Sequence, residues 1–185
     1  MKFSTQLILI TIFLLSTIPL ALAKEAQTNR EIFVEKTGDI LQVSVVAAAY
    51  LPTLLLKDVE GQYQFYKSFL TNIGITYTLK YVIPAQRPEQ NGDHSFPSGH
   101  TSASFQSAAF IHKRYGLKYG LPAYAVASFV GYSRDEGDKH HWYDIFAGAA
   151  LGVASSFYFT TPYKNVQVAP YVEYSNVGIA IQKAW

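Results

Sequence analysis

Residues 95–104 read SFPSGHTSAS and mark the point where a loop becomes a helix. Pro97 ends the loop, and Ser98 is a residue type that commonly caps a helix at its N-terminus. The first backbone N–H groups of such a helix point outward unpaired and can bind an anion. Gly99 lets an anion approach the backbone closely, and His100 lies near enough to exchange a proton with it. An ordinary capped helix with a surface histidine fits these residues equally well.

Helical patterns surround this stretch on both sides. Residues 40–56, 119–133 and 145–163 carry no charge, and Ala, Leu and Gly dominate them without strict alternation, which favours helices over strands. Two further helices are predicted over residues 61–80 and 98–115. The sequence therefore predicts an all-α fold, a helical bundle of about five helices with short connections.

The N-terminal residues 1–23 have the layout of a secretory signal peptide. Lys2 precedes a long apolar run, Pro19 interrupts it, and the small residues Ala21 and Ala23 frame a cleavage site. An uncleaved membrane anchor is the alternative interpretation. We predict cleavage, and therefore an exported protein.

The rest of the chain divides into a helical domain, residues 24–162, and a tail, residues 163–185. In the tail, apolar residues alternate with polar ones on both sides of Ser175 and Asn176, which predicts a short C-terminal β-hairpin. Because an isolated hairpin is only marginally stable, it must pack on something. The bundle itself is one candidate surface, and a membrane protein or an outer-membrane surface is the other.

The composition limits the classes of protein. A chain of 185 residues that is 49% hydrophobic and 15% charged suits one compact domain. A formal net charge of +2 is too small for a nucleic-acid partner, and 0 cysteines rule out disulfides and thiolate chemistry. The apolar runs reach at most the length of a membrane span, so we expect a bundle that is soluble or peripherally membrane-associated. Gly148 and Gly152 permit close helix packing in either setting.

Two further clusters of polar residues flank the opening stretch. Upstream, KYVIPAQRP places Lys80 and Arg87 on either side of a proline, where both could turn towards one anion. Downstream, SRDEGDKHHWYD contains Arg134, and His140 lies four residues before Asp144. At that spacing on a helix, the aspartate can accept the Nδ1–H of the histidine and leave Nε2 free as a nucleophile or base.

Each cluster has a simpler interpretation when it is taken alone. The cations could be solvated charges, and His140, His141 and Asp144 could hold a metal ion. Adjacent histidines rarely bind one ion from a helix, however, and nearby cations would oppose a metal. Together the clusters supply cations, neutral donors and two histidines in different settings, which is the set of groups that phosphoryl transfer without a metal requires.

The three stretches also match, in order and spacing, the tripartite signature of a known superfamily. The signature consists of Lys, six residues and Arg-Pro; then Pro-Ser-Gly-His; then Ser-Arg, five residues, His, three residues and Asp. Residues 80–88, 97–100 and 133–144 match it at every signature position. The chain therefore resembles the type-2 phosphatidic acid phosphatase and vanadium-dependent haloperoxidase superfamily.

This resemblance implies an all-α core and roles for the matching residues. His140 is the expected nucleophile that forms a phosphohistidine, and Asp144 orients it. His100 is expected to protonate the leaving alcohol and later to activate water. The resemblance assigns phosphate binding to five residues, which are Lys80, Arg87, Ser98, Gly99 and Arg134.

The resulting expectation is an exported, periplasmic phosphatase that needs neither a metal nor another cofactor. Its substrate is expected to be a phosphomonoester or pyrophosphate, of a lipid or of a small phosphoester, and contact with a membrane surface fits a lipid substrate. Two other functions would use the same anion pocket. They are a vanadate-dependent haloperoxidase and a non-catalytic module that binds anionic lipid headgroups.

Overall fold

A computed structural model describes the backbone over residues 2–90, 92–163, 167–173 and 176–182, and the side chains over residues 28–163 apart from Asn91. The helical domain contains five helices in this described part, as the sequence predicts. They are α1 (Lys2–Leu55), α2 (Val59–Val82), α3 (Gly99–Tyr115), α4 (Leu117–Glu136) and α5 (Trp142–Phe159).

The tail contains two extended segments. They are β1 (Gln167–Glu173) and β2 (Asn176–Gln182), and their pairing as a β-hairpin stays a prediction. The surface on which this tail packs stays a prediction, and so does the signal peptide over residues 1–23.

Helix α3 is the centre of the bundle because it packs against each of the other four helices. Its apolar residues Ala108, Ala109 and Phe110 are completely buried. The Pro-Ser-Gly-His motif of the opening stretch lies at the N-terminus of this helix. The site is therefore built on the most enclosed element of the fold.

Helix α5 lies in backbone contact with α3. A Cβ added at Gly148 would lie 2.5 Å from the carbonyl oxygen of Ser98, and one added at Gly152 would lie 2.3 Å from that of Ser102. Any side chain at these positions would collide with backbone atoms that cannot move aside. The spacing of the two glycines thus gives the close packing that the sequence permits, and it seats α5 directly against the start of α3.

Polar side chains join α2 to α3 along a buried seam. The hydroxyl of Ser102 donates to Oδ1 of Asn72 at 2.7 Å and lies 3.0 Å from the hydroxyl of Thr76. One turn further along, Nε2 of Gln106 donates to the hydroxyl of Ser68 at 2.8 Å. Because buried polar groups are costly without partners, these bonds fix how the two helices align.

A buried ion pair closes the far end of the bundle. Asp58 caps α2 by accepting from the N–H of Gly61 at 2.9 Å, and it also accepts from Nε of Arg114 on α3 at 2.8 Å. The same guanidinium donates to the carbonyl of Thr161, just after α5, at 2.9 Å. Arg114 therefore connects the end of α3 to the start of α2 and to the residues that follow α5.

The outer surface of the bundle carries many large apolar side chains. Phe33 is 71% exposed, Leu55 82%, Tyr81 73% and Tyr158 83%. Among the described residues, Thr28–Leu55 of α1 is long and apolar enough to cross a membrane by length and composition, with a mean hydropathy of 1.4. The bundle thus buries polar side chains between α2 and α3 and exposes many apolar side chains on its outer surface.

Candidate active site

The three motifs meet around one cavity of about 470 Å³. Lys80, Arg87, Gly99, His100 and His140 all line it. Both imidazoles and two of the three predicted cations therefore face the same space. The remaining predicted residues, Ser98, Arg134 and Asp144, are buried beside this lining.

Ser98 caps α3, as the sequence predicts. Its hydroxyl accepts from the N–H of Thr101 at 3.5 Å, and its own N–H donates to the carbonyl of Asp144 at 2.9 Å. The second bond joins the second motif to the third. A Cβ at Gly99 would lie 3.8 Å from Cε of Lys80, so the glycine places the backbone of the first turn next to that lysine.

Lys80 lies in the last turn of α2 and reaches the start of α3. Its Nζ donates to the carbonyls of His94 and Ser95 at 3.0 and 3.1 Å. An ammonium group has three N–H donors, so one remains for an anion in the cavity. Burial, together with the positive charge of Arg87, lowers the pKa of Lys80 to about 8.

The loop after α2 folds back on itself and carries Arg87 to the cavity. The N–H of Ala85 donates to the carbonyl of Asp93, and the N–H of Arg87 donates to that of Gly92 at 3.2 Å. Gly92 has a φ of +114°, a conformation that a side chain would strain. These backbone hydrogen bonds fix the shape of the loop, and Arg87 on the loop lines the same cavity as Lys80.

His140 lies in the turn before α5 and not on the helix, which begins at Trp142. Its N–H donates to the carbonyl of Arg134 at 3.2 Å. Asp144 lies in the first turn of α5, and its Oδ2 accepts from the N–H of His141 at 3.0 Å. The expectation that His140 and Asp144 pair along one helix is therefore corrected. His140 lies in the turn before α5, and Asp144 lies on the first turn of that helix. The direct distance between Nδ1 of His140 and Oδ2 of Asp144 is 3.5 Å.

A serine that the sequence analysis missed fills the gap between these two side chains. The hydroxyl of Ser95 lies 2.5 Å from Oδ2 of Asp144 and 3.2 Å from Nδ1 of His140. An ionised carboxylate only accepts, so the single hydroxyl proton goes to Asp144 and the serine oxygen accepts the Nδ1–H of His140. This leaves the lone pair on Nε2, the state that a nucleophile needs. In the sequence, the only sign of this role is that Ser95 lies two residues before the second motif.

The surroundings of His140 keep its ring neutral. Burial is the largest effect, and it lowers the pKa of His140 to about 3. Four nearby groups act in the same direction, namely Lys80, Arg87, His100 and Arg134. The same convergence of positive charge that would bind a phosphate therefore holds the imidazole in its nucleophilic form.

Helix α1 supplies partners that the sequence analysis did not identify. The buried guanidinium of Arg134 donates to the carbonyl of Glu35 at 2.7 Å and to Oδ1 of Asp39 at 2.9 Å. Its Nε also donates to the hydroxyl of Ser133 at 3.2 Å. A guanidinium has five N–H donors, so this seat orients Arg134 and still leaves a donor for a bound oxyanion.

His100 is less enclosed than His140, with its side chain 43% exposed. Its Nε2 lies 3.2 Å from Oδ1 of Asp39. Burial and the charge of Arg134 lower the pKa of His100, while Asp39 opposes them. The two histidines therefore have separate carboxylates, and each ring has its own polar environment.

Ion pairs connect the third motif, the loop that carries Arg87 and helix α1. Nζ of Lys139 lies 2.9 Å from Oε2 of Glu89 and 3.7 Å from Oε1 of Glu35. Lys139 belongs to the third motif, Glu89 to the loop of Arg87, and Glu35 to α1. This group aligns the loop with the helix whose residues hold Arg134.

Comparison with known proteins places the chain in a family. The family model of the PAP2 superfamily matches residues 41–167, which is more than half of the chain and includes all three motifs. The chain belongs to the PAP2 superfamily. This confirms the resemblance that the three motifs indicate.

Several PAP2 relatives are similar in sequence. The lipid A 4'-phosphatase of Helicobacter pylori is 28% identical over 153 residues, which cover 77% of each chain. The lipid A 1-phosphatase of Porphyromonas gingivalis is 37% identical over 83 residues, 43% of this chain and 19% of that relative. Lipid phosphate phosphatase 2 of Arabidopsis thaliana is 34% identical over 119 residues, 53% of this chain and 41% of that protein. The chain thus spans a fifth to three quarters of these relatives' lengths.

The fold is also shared with a solved structure. The crystal structure of LpxE from Aquifex aeolicus superposes with a TM-score of 0.60 over 69% of this chain and 83% of that one. The sequence identity is 19%, so this likeness concerns the fold alone.

Proposed function

We propose that this protein is a metal-independent phosphatase of phosphorylated lipids that acts through a phosphohistidine at His140. One observation carries the proposal. The Nδ1–H of His140 is directed to Ser95 beside Asp144, so a neutral Nε2 is available in a cavity that Lys80 and Arg87 also line. A neutral imidazole beside clustered cations is suited to attack a phosphorus atom whose oxygens those cations hold.

The first half of the reaction transfers the phosphoryl group to the enzyme. Nε2 of His140 attacks the phosphorus in line, the bond to the leaving oxygen breaks, and His100 gives its proton to that oxygen. Negative charge on the three equatorial oxygens is stabilised by cations and backbone donors. These are Lys80, Arg87, Arg134 and the start of α3 at Ser98 and Gly99.

The second half releases phosphate. The neutral His100 takes a proton from a water molecule, and the resulting hydroxide attacks the phosphohistidine. The N–P bond breaks, the electron pair returns to Nε2 of His140, and inorganic phosphate leaves. His100 is then protonated again and ready for the next substrate. Apart from the substrate and this water molecule, the proposed cycle uses only side chains and backbone groups of the chain.

Three observations support a lipid as the leaving group. The cavity continues from the charged end along α2, where Phe69, Ile73 and Tyr77 line it. Large apolar side chains are exposed on the surrounding helices, which suits contact with a membrane surface. The relatives named above are lipid A phosphatases and a lipid phosphate phosphatase. The leader-like residues 1–23 support export to the periplasm, with residues 24–162 as the catalytic domain.

A phosphate-release panel tests this function. We expect release from at least one of lipid A, phosphatidylglycerophosphate and undecaprenyl pyrophosphate, undiminished by a chelator and inhibited by vanadate. His140→Ala should abolish release. His141→Ala is the matched control, because the imidazole of His141 does not line the cavity and its bond to Asp144 comes from the backbone N–H, which alanine retains.

Three outcomes would contradict the proposal. One is complete loss of activity in chelator that a divalent ion restores. A second is phosphate binding without turnover of any substrate, which would indicate a headgroup-binding module. Halide oxidation in the presence of vanadate and peroxide, without phosphate release, would indicate a haloperoxidase. Rapid acid-free quenching with a labelled substrate should trap phosphate on the wild-type protein and not on His140→Ala.

A further inference from the structure

Asp39 contacts two residues of the candidate site from a helix that contains none of the three motifs. Its Oδ1 lies 3.2 Å from Nε2 of His100 and 2.9 Å from Nη1 of Arg134. Asp39 also precedes residues 41–167, the part of the chain that matches the family model. Neither the motifs nor the family match therefore assigns it a role.

The contact is built into the way α1 packs on α4. A Cβ added at Gly38 would lie 1.9 Å from the hydroxyl oxygen of Ser133 and 2.8 Å from Nη2 of Arg134. Only a glycine lets α1 approach this closely, and the approach brings the carbonyl of Glu35 to within 2.7 Å of the same guanidinium. Two neighbouring turns of α1 thus fix the position from which Asp39 reaches His100.

The charges around His100 give this contact a chemical consequence. Among the described residues, five titratable or charged groups face or influence its ring: Asp39 and Glu35 from α1, Lys80 from α2, Arg134 from α4, and His140 from the turn before α5. The cations disfavour the imidazolium, and burial acts in the same direction. Of the two carboxylates, Asp39 is the one in direct contact with the ring.

We propose that Asp39 is a positioning residue for the general acid: it accepts the Nε2–H of His100, so that Nδ1 is the nitrogen that exchanges a proton with the leaving oxygen. This inference rests on the proposed function, because it concerns the acid of that reaction. The carboxylate stabilises the imidazolium before proton transfer and holds the ring's orientation afterwards. It does for His100 what Asp144 and Ser95 do for His140.

The first test needs no turnover. Histidine nitrogens of the full-length wild-type protein are labelled with ¹⁵N, and the resonances of His100 are assigned by comparison with His100→Gln. At a pH where His100 is neutral, we expect the Nε2–H tautomer. A neutral ring that carries its proton on Nδ1 would overturn the proposal, whether or not the protein is a phosphatase.

The second test compares pH profiles of kcat/KM for one substrate. Asp39→Asn removes the charge and retains the shape, so the high-pH limb, which reports loss of the proton from His100, should move to lower pH. We expect the limb to shift by about one pH unit. A fully buried charge pair would shift it further, but solvent screens the charges of these partly exposed side chains. Asp39→Glu should restore the limb. Glu31→Gln removes the same charge about two turns nearer the N-terminus and should leave it unchanged.

The outcomes separate a positioning role from a structural one. Lower activity in Asp39→Asn with an unmoved high-pH limb would mean that Asp39 only supports the fold, and the proposal would be wrong. If Asp39→Asn does not fold, the tautomer of wild-type His100 still decides the question. Failure of the proposed phosphatase function would appear separately, as no phosphate release from the wild-type protein.

Discussion

The hydroxyl of Ser95 lies 2.5 Å from Oδ2 of Asp144, closer to that carboxylate than the ring of His140 is. The serine therefore completes the link between the carboxylate and the ring of His140. Since the side chains of Ser95 and Asp144 are fully buried, the link is shielded from water. The ring of His140 is oriented by a carboxylate and a hydroxyl together.

Ser95→Ala tests this link. Loss of a hydrogen bond to a charged group typically costs about 1.5–3 kcal/mol, so we expect kcat to fall on the order of ten- to a hundredfold with little change in KM. Ser104→Ala is a matched control, because the Ser104 hydroxyl is buried and has no hydrogen-bond partner among the described residues. Equal kinetics for Ser95→Ala and the wild-type protein would show that Asp144 orients His140 alone.

The pH dependence of activity should have its maximum on the acid side of neutrality. His140 must be neutral, which its pKa of about 3 allows at any higher pH. His100 must be protonated, and burial beside Arg134 lowers its pKa from the usual 6.5. A profile of kcat/KM should therefore be bell-shaped, with its high-pH limb below about 6.5. A maximum above pH 7 would contradict these assignments.

Lys80→Met should move the low-pH limb of the same profile. The positive charge of Lys80 lowers the pKa of His140, so its removal raises that pKa and shifts the limb to higher pH. The maximal rate should also fall, because a phosphate contact is lost. Titration of His140 by NMR in both proteins gives an independent measure. An unchanged pKa of His140 would mean that Lys80 acts only by binding the substrate.

Gly152→Ala should destabilise the helical domain. The added Cβ would lie 2.3 Å from the carbonyl oxygen of Ser102, so α3 and α5 must separate, at a cost of about 1–3 kcal/mol. Gly74→Ala is the control, because its Cβ would meet nothing within 4 Å. That change should be neutral or stabilise α2 by up to about 1 kcal/mol. Thermal unfolding measures both; equal melting temperatures would contradict the packing.

Asp58→Asn should destabilise the protein strongly, because it leaves the buried charge of Arg114 with only the more distant and half-exposed carboxylate of Glu60, at 3.9 Å. A loss of about 3–5 kcal/mol is typical of such changes. Burial opposes the ionised form of Asp58, but the bonds from Arg114 and Gly61 outweigh it and lower the pKa of Asp58. Its contribution is therefore complete above the unfolded pKa of about 3.9 and is lost as the pH falls through the lower folded value.

Denaturant unfolding at neutral pH and at successively lower pH checks this expectation. The difference between the wild-type protein and Asp58→Asn should be largest at neutral pH and should shrink in acid. The exposed loop residue Asp93 provides the control, and Asp93→Asn should have little effect. A difference that does not depend on pH would mean that the shape of the Asp58 side chain matters and its charge does not.

The sequence was sufficient to predict the helices and the motif residues. Three uncharged runs and two further segments predicted five helices. The bounds of α2 to α5 lie within a few residues of the predicted ones, whereas α1 begins at Lys2, 38 residues before the predicted start at residue 40. Motif spacing brought Lys80, Arg87, His100 and His140 to one cavity, because each motif lies at a helix end near the start of α3. The geometry of a helix end depends mainly on its capping and turn residues, which are close together in the sequence. The motifs could therefore be placed at helix ends from the sequence alone.

Ser95 and Asp39 could not be identified in this way. Their roles arise from the close approach of distant segments, which Gly38 and the backbone contacts of α5 allow. No local pattern marks a serine that fills a gap of 3.5 Å between two other side chains. The difference at His140 has a local cause. Its neighbour His141 is the N-cap of α5, so the helix begins at Trp142 and His140 lies before it.

The two walls of the cavity differ in how freely they can change. On the side of α3 and α5, backbone touches backbone at Gly148, so a substitution there would displace Ser98 together with the chemistry. On the side of α2, the wall consists of side chains such as Phe69 and Ile73. Substitutions at these two positions can therefore change the shape of the cavity while the contacts around Lys80, Arg87 and the two histidines stay in place.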